Sequence, residues 1–233
     1  MTHLLDITES PGCTVIAMDD GKANALSFAV IDGLNAALDA SESSAGAVAI
    51  IGRDGKFSAG FDLKVMTSSI DDARRLLRAG AELALRVYMS PIPIVLGITG
   101  HALAMGGILA TTADYRIGAD GPFKLGLNEV AIGMPVPTFG VELCRDRLTH
   151  TWFTRCVQHA HLCTPAEAVA AGFLDELVAP ADVRDGAIER AAHLAASLHR
   201  GPFRLTRNTM RAATAAALRD SLDADMALFE VTG

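Results

Sequence analysis

Two short apolar runs, Ala45 to Ile51 and Ile94 to Ile98, stand on either side of a segment that reads as a helix, Ile70 to Tyr88. The first run ends in the turn Gly52-Arg53-Asp54-Gly55 and the second follows a Pro-Ile-Pro stop, so each has the length and punctuation of a buried strand. Upstream, Leu4 to Thr8 and Thr14 to Asp19 flank Ser-Pro-Gly and read as a hairpin. Between hairpin and first run, Val30, Ile31, Leu34, Ala37 and Leu38 recur at helical spacing over Phe28 to Ala40, with Ser27 at the N-cap position. After Ile98 come a glycine-bearing loop, a helix near Gly106 to Ala113, a strand at Tyr115 to Ile117 and a short helix around Asn128 to Ile132. Strands that alternate with helices imply α/β architecture. From about Thr164 onward only helical signals are found, with Ala181 to Leu198 and Leu205 to Leu218 both Ala-rich and amphipathic. This tail reads as a helical subdomain or an interface.

Composition bounds the function. A chain of 233 residues, half of them hydrophobic, buries one sizeable core, or one core plus a small appended domain. The net charge of −7 opposes nonspecific attraction to nucleic acid, so a small substrate is the better expectation. Cys13, Cys144, Cys156 and Cys163 stand apart, with no C-x-x-C pair and no histidines at ligand spacing; they read as buried reduced thiols, with no metal expected. Met1 to Asp6 show no basic segment followed by an apolar run, and no apolar stretch reaches membrane-spanning length. A cytoplasmic protein without membrane partners is expected.

Three stretches could carry chemistry. Phe57-Ser58-Ala59-Gly60-Phe61-Asp62-Leu63-Lys64 follows a buried strand, and its small residues let a ligand approach the backbone. The Phe61 amide could donate to an anionic oxygen and Lys64 could reach a phosphate; the alternative is a tight strand-to-helix turn. Gly100-His101-Ala102-Leu103-Ala104-Met105-Gly106-Gly107 also follows a strand and opens a helix, whose first amides carry partial positive charge suited to an oxyanion. Met105 is the candidate donor there. Close helix packing through Gly106 and Gly107 is the rival; neither a Gly-x-Gly-x-x-Gly fingerprint nor a P-loop is present. In Phe123 to Gly133 a single acid, Glu129, sits in an apolar segment, where burial among Leu127, Val130 and Ile132 would raise its pKa toward a value useful for proton transfer. A helix-cap role is the alternative. His101 reads as structural, Arg74, Arg75 and Arg78 as a solvated helix face, and Arg207 with Arg211 as surface or as a phosphate contact across a subunit interface.

In this order the three stretches resemble the crotonase family of enoyl-CoA hydratases and isomerases, over most of the chain. The resemblance implies a crotonase-like spiral of β-β-α units over residues 1–180, with a C-terminal helical region, 181–233, that serves trimerisation. Lys22-Ala23-Asn24-Ala25-Leu26 looks like the family's first coenzyme A loop, so Lys22, Ala23 and Ala25 are expected to contact substrate. Ser58 to Lys64 looks like the second, with Ala59, Asp62, Leu63 and Lys64 at the substrate and Phe61 N–H as one oxyanion donor. The loop before Gly106 looks like the source of the other donor, Met105 N–H, where many members have glycine.

The departures carry the finer expectation. Efficient hydratases of the family have two glutamates; counting back from Asp114, the first falls on Ile108. Glu129 matches the second, in Gly126-Leu127-Asn128-Glu129, which is similar to the segment of the family's Δ3-Δ2-enoyl-CoA isomerases. The chain also ends early for the family. The resemblance therefore implies an isomerase that shifts a 3-enoyl-CoA double bond to the 2-position, with Glu129, Phe61 and Met105 catalytic and Gly106 and Ile108 lining the site. An enoyl-CoA hydratase ranks second and an acyl-CoA-binding protein with little catalysis third. Coenzyme A enters as part of the substrate, no separate cofactor is implied, and a homotrimer or dimer of trimers is the expected assembly.

Overall fold

The computed structural model describes residues 4–228. The hairpin is present as β1 (Leu5–Ser10) and β2 (Cys13–Met18), antiparallel, turning at Gly12 with φ +85°. Helix α1 (Phe28–Ser44) starts where the cap predicts, the Ser27 hydroxyl accepting from Val30 N, and buries Val30, Ile31, Leu34, Ala37 and Leu38. Its last turn extends beyond the expected end at Ala40. Then come β3 (Ala47–Ile51), β4 (Gly55–Ser58), α2 (Leu63–Met66), α3 (Ile70–Tyr88), β5 (Ile94–Ile98), β6 (Gly100–Leu103) and α4 (Met105–Ala110). The chain continues through β7 (Tyr115–Ala119), β8 (Leu125–Gly126), a single 3-10 turn Val130–Ile132, α5 (Thr138–Arg147), α6 (His150–Val157), α7 (Pro165–Ala171) and β9 (Glu176–Val178). Helices α8 (Val183–Ser197), α9 (Arg200–Met210) and α10 (Ala212–Leu228) complete it.

Two sheets result, one of order β1-β2-β3-β5-β7-β9 and one of order β4-β6-β8. Past the hairpin, each coil of the chain lays one strand in the large sheet, the next in the small sheet, and returns by helix, which is the expected spiral of β-β-α units. The large sheet is covered on both faces, which explains why β3 and β5 are apolar throughout rather than alternating. Val48, Ile50, Ile94 and Leu96 enter the main core. Ala47, Ala49, Ile51 and Val95 pack with Ala187 and Ala191 of α8.

Several expectations need correction. The stretch read as a glycine-bearing loop contains β6, and the turn before Phe61 is preceded by β4; both strands are four residues long and rich in small residues, so no period shows in the sequence. The tail is not purely helical, because β9 joins the large sheet in parallel beside β7. The helix expected over Leu205 to Leu218 is two helices, broken at Arg211, whose guanidinium reaches the carbonyls of Tyr88 and Thr112. Arg207 and Arg211 are not surface residues. Arg207 is 3% exposed; both guanidiniums engage the Asp114 carboxylate, and Arg207 also bonds the Ser90 carbonyl. All four cysteines are free and buried, yet Cys156 and Cys163 do not stand apart: their sulfurs are 3.6 Å from each other. The expectations for Met1 to His3 and for 229–233 lie outside the described residues.

Candidate active site

The site is built where three successive coils of the spiral meet. On the first, Asn24 to Leu26 run alongside Ser58 to Asp62: Ala59 N donates to Ala23 O at 3.0 Å, Leu26 N to Gly60 O at 2.8 Å and Asp62 N to Leu26 O at 3.1 Å. Because Gly60 C=O and Asp62 N–H both face Leu26, the Phe61 N–H between them points to the opposite side, as alternate amides of extended chain do. Asp20 shapes this loop, accepting from the amides of Lys22 (2.7 Å), Asn24 (2.8 Å) and Ala25 (3.1 Å). Burial pushes its carboxyl up, but these amides outweigh that and hold it below the usual carboxylate range.

On the second coil, β6 runs parallel to β4 and delivers the chain to α4. Met105 is the first helical residue, so its N–H has no acceptor within the helix. Among the described residues, neither it nor Phe61 N–H finds a backbone acceptor elsewhere. The two loops touch: a Cβ placed on Gly60 would lie 3.0 Å from Ala104 Cβ and 3.3 Å from Met105 N. Gly106 is required for the same reason, since its Cβ would meet Ser58 O at 2.4 Å.

Ala104 turns the chain into α4 at φ 50° and ψ −124°, a conformation that favours glycine. Holding an alanine there costs about 1 to 3 kcal/mol. Ala104→Gly is therefore expected to raise unfolding stability by about 1 kcal/mol after the extra freedom of glycine in the unfolded chain is counted. Urea denaturation checks it; a lower midpoint would show that the Ala104 methyl supplies more packing than the strain removes.

The third coil brings Glu129. It precedes the 3-10 turn that ends at Gly133, φ +83°, and is 9% exposed. Phe61, Met105, Ile108 and Glu129 line one cavity of about 40 Å³, closed by Met66, Leu77, Met134 and Phe139. Gly80 of α3 makes room: a Cβ there would sit 2.4 Å from the Phe61 ring and 3.5 Å from Met105 Cε. Glu129 Oε2 and Asn128 Oδ1 are buried without a hydrogen-bond partner among the described residues. Burial raises the Glu129 pKa, and only backbone amides of Glu129 and Asn128 oppose it. The Cys144 thiol is pushed up by burial first and by the Glu129 carboxylate second.

The source of that burial differs from expectation. Val130 and Ile132 are 45% and 60% exposed and only Leu127 of the expected three is buried; the cavity wall comes from Phe61, Met105 and Ile108 of the earlier coils and from Met134 and Phe139 just downstream. Of the expected contact residues, Ile108 is on the cavity wall and Gly106 behind it. Lys22, Ala59, Leu63 and Lys64 are exposed outside it. Ala23 and Ala25 lie in the paired loop beside them, and Asp62 caps α2, accepting from Lys64 N at 2.9 Å. Met66, Met134, Phe139 and Asp20 were not singled out from the sequence; only the nearness of Met134 and Phe139 to Glu129 in the chain pointed to them. Among the described residues no three His, Cys, Asp or Glu side chains are grouped to hold a metal ion.

Comparison with known proteins matches this geometry to a family. The family model described as enoyl-CoA hydratase/isomerase matches residues 8–233. The chain is 32% identical over 231 residues to human "Enoyl-CoA delta isomerase 1, mitochondrial", covering 97% of this chain and 76% of that one. The apo structure of an enoyl-CoA isomerase from Mycobacterium tuberculosis superposes with a TM-score of 0.93 at 38% identity, covering 98% of this chain and 100% of the other. An enoyl-CoA hydratase from Mycobacterium marinum gives 0.92 at 37%, covering 98% and 100%. A match over nearly the whole chain, joined to an apolar cavity where two loops and one carboxylate meet, has one reading: the chain belongs to the enoyl-CoA hydratase/isomerase family.

Proposed function

We propose that this protein isomerises 3-enoyl-CoA to 2-enoyl-CoA, with Glu129 moving the proton. The observation that carries the proposal is a cavity with a single carboxylate, Glu129, on its wall; Ile108, which the resemblance matches to the family's other glutamate, gives that wall an apolar side chain. The relative named enoyl-CoA delta isomerase supports the same reading. In this family coenzyme A belongs to the substrate and no further cofactor is used.

In the proposed cycle, the thioester oxygen sits against the amides of Phe61 and Met105. Glu129 takes a proton from C2, the negative charge spreads onto the oxygen, and the same carboxyl returns the proton at C4. Each amide contributes about 3 kcal/mol at the transition state. In the same reading Lys22 and Lys64, exposed outside the cavity, bind the phosphates of coenzyme A, and Ala23, Ala25, Ala59, Asp62 and Leu63 contact its remainder. Gly106 contributes by letting the two loops close.

Hydration of 2-enoyl-CoA is the second reading, favoured by the relatives named hydratases. It requires water to be deprotonated while C2 is protonated, work that two acids share more readily than one. A panel of 2-enoyl- and 3-enoyl-CoA thioesters with mass-resolved products separates the two; hydration as fast as isomerisation would overturn the ranking. Ile108→Glu is expected to raise hydration at least tenfold, and no gain would remove Ile108 from the position assigned to it. Because burial raises the Glu129 pKa, kcat/KM is expected to climb with pH through an inflection above the ordinary glutamate value of 4.5. A flat pH profile through that range would remove Glu129 as the base.

The proposal includes a reducing, cytoplasmic setting and self-assembly through residues 181–233 into a trimer or dimer of trimers. Leu205 and Met210 on α9, 63% and 75% exposed, and Leu228 at 77% are the apolar surface available for it. Among the described residues no helix is long and apolar enough to cross a membrane.

A further inference from the structure

Beyond the cavity, one pair of reactive groups has no part in the proposed proton transfer. Cys156 lies in α6 and Cys163 lies beyond the loop that follows it; their sulfurs are 3.6 Å apart and both residues are 0% exposed. Cys163 is fixed to β8, its N–H donating to Leu125 O at 2.8 Å and its carbonyl accepting from Leu125 N at 3.0 Å. The loop between the two cysteines is thin cover: Gln158, His159 and His161 are exposed, and Ala160 sits at φ +50°, a strained value for alanine.

We propose that Cys156 and Cys163 form a reversible redox site that closes to a disulfide on exposure to hydrogen peroxide. A disulfide needs its sulfurs about 2.05 Å apart, so closure asks for a movement of about 1.5 Å shared between a helix end and a loop. The hydrogen bond from the Cys163 thiol stabilises a Cys156 thiolate and draws that thiol below its ordinary value, while burial opposes it. The Cys156 sulfur attacks the O–O bond of the peroxide, and the departing hydroxide leaves as water with the thiol proton, giving a sulfenic acid. The Cys163 sulfur then displaces the sulfenic hydroxyl, which departs as a second water with the proton of Cys163. Two thiols and one peroxide thus yield one disulfide and two waters; the sulfurs lose two electrons and the peroxide gains them. Cys144, which is also buried, has no thiol within hydrogen-bond distance among the described residues and stays reduced.

The sequence makes the test direct, because no Lys or Arg lies between Arg155 and Arg184, so both cysteines fall in one tryptic peptide, Cys156 to Arg184. The intact protein is treated with hydrogen peroxide, alkylated with iodoacetamide and digested. The expected result is a Cys156–Arg184 peptide lighter by two hydrogen atoms and unalkylated, returning to two alkylated thiols when dithiothreitol precedes alkylation. In Cys163→Ser the closed form is absent and Cys156 is instead trapped by dimedone as its sulfenic acid. Free methionine added to the reaction is the gauge of dose. A wild-type peptide that remains doubly alkylated at a dose converting the added free methionine to its sulfoxide overturns the proposal, as does a cross-link from Cys156 to the peptide holding Cys144. The readout is independent of any assay of proton transfer.

Discussion

Replacing Glu129 with glutamine is expected to leave acyl-CoA affinity nearly unchanged and to lower turnover of 3-enoyl-CoA by roughly 10² to 10⁴. Glutamine keeps the shape and fills the same space among Phe61, Met105 and Ile108, so binding survives while the proton acceptor is lost. Stability is expected to move the other way. Burial raises the folded-state pKa of Glu129, so its ionised form is disfavoured in the fold. The stability linked to the protonated acid is complete below the unfolded-state pKa and is lost as pH rises through the folded one. At neutral pH, well above the unfolded-state pKa, the wild type therefore bears a cost of burial that Glu129→Gln lacks, and the variant should melt higher. The advantage should shrink as pH falls below the ordinary glutamate range, where the wild type is protonated as well. Thermal melts at pH 7 and pH 4 beside steady-state kinetics check both halves. Unchanged turnover would remove Glu129 from the chemistry and return the acyl-CoA-binding reading; an unchanged melt at pH 7 would mean that water or substrate-side dipoles already solvate the carboxylate.

The largest stability loss is expected at Asp114→Asn. Its carboxylate meets Arg207 and Arg211 and accepts from Ile94 N at 2.8 Å, so one side chain joins the start of β5 to the C-terminal helices. The Arg207 side chain is 2% exposed, and burial already lowers its pKa, with Asp114 the leading opposing influence. Removing the carboxylate leaves a buried guanidinium uncompensated, at a cost of about 3 to 5 kcal/mol. Against the 5 to about 15 kcal/mol of a typical domain, that is enough to make the variant poorly folded at 37 °C. Denaturant titration measures it. A loss under 1 kcal/mol would show that the Ser90, Tyr88 and Thr112 carbonyls hold the two arginines without help.

The elements legible from sequence are those whose signal is local. The bounds of α3 and β5 coincide with the expected ones because a long amphipathic helix and an apolar run after Pro-Ile-Pro state their own limits. Ser27 capped its helix as its side chain dictates. Four short strands of the spiral were not legible. Gly55–Ser58 and Gly100–Leu103 are glycine-bearing, Leu125–Gly126 has two residues, and Glu176–Val178 gains its identity only by lying beside β7. Glu129 was legible as an acid in apolar company, but its burial was credited in part to Val130 and Ile132, which are exposed, while the cavity wall comes from two earlier coils and the segment just downstream. Arg207 was misread for a related reason: an arginine on a helix looks solvated until its partner, Asp114, is brought to it from another part of the chain.

Phe61, Met105 and Glu129 are contributed by three consecutive coils, and no coil supplies two of them. Catalytic competence is therefore a long-range property, reached only after contacts between distant segments have formed, which are the slow ones in folding. A nascent chain that has completed two coils holds an incomplete site, so recovery of turnover on refolding should lag recovery of helix content and should report closure of the whole spiral.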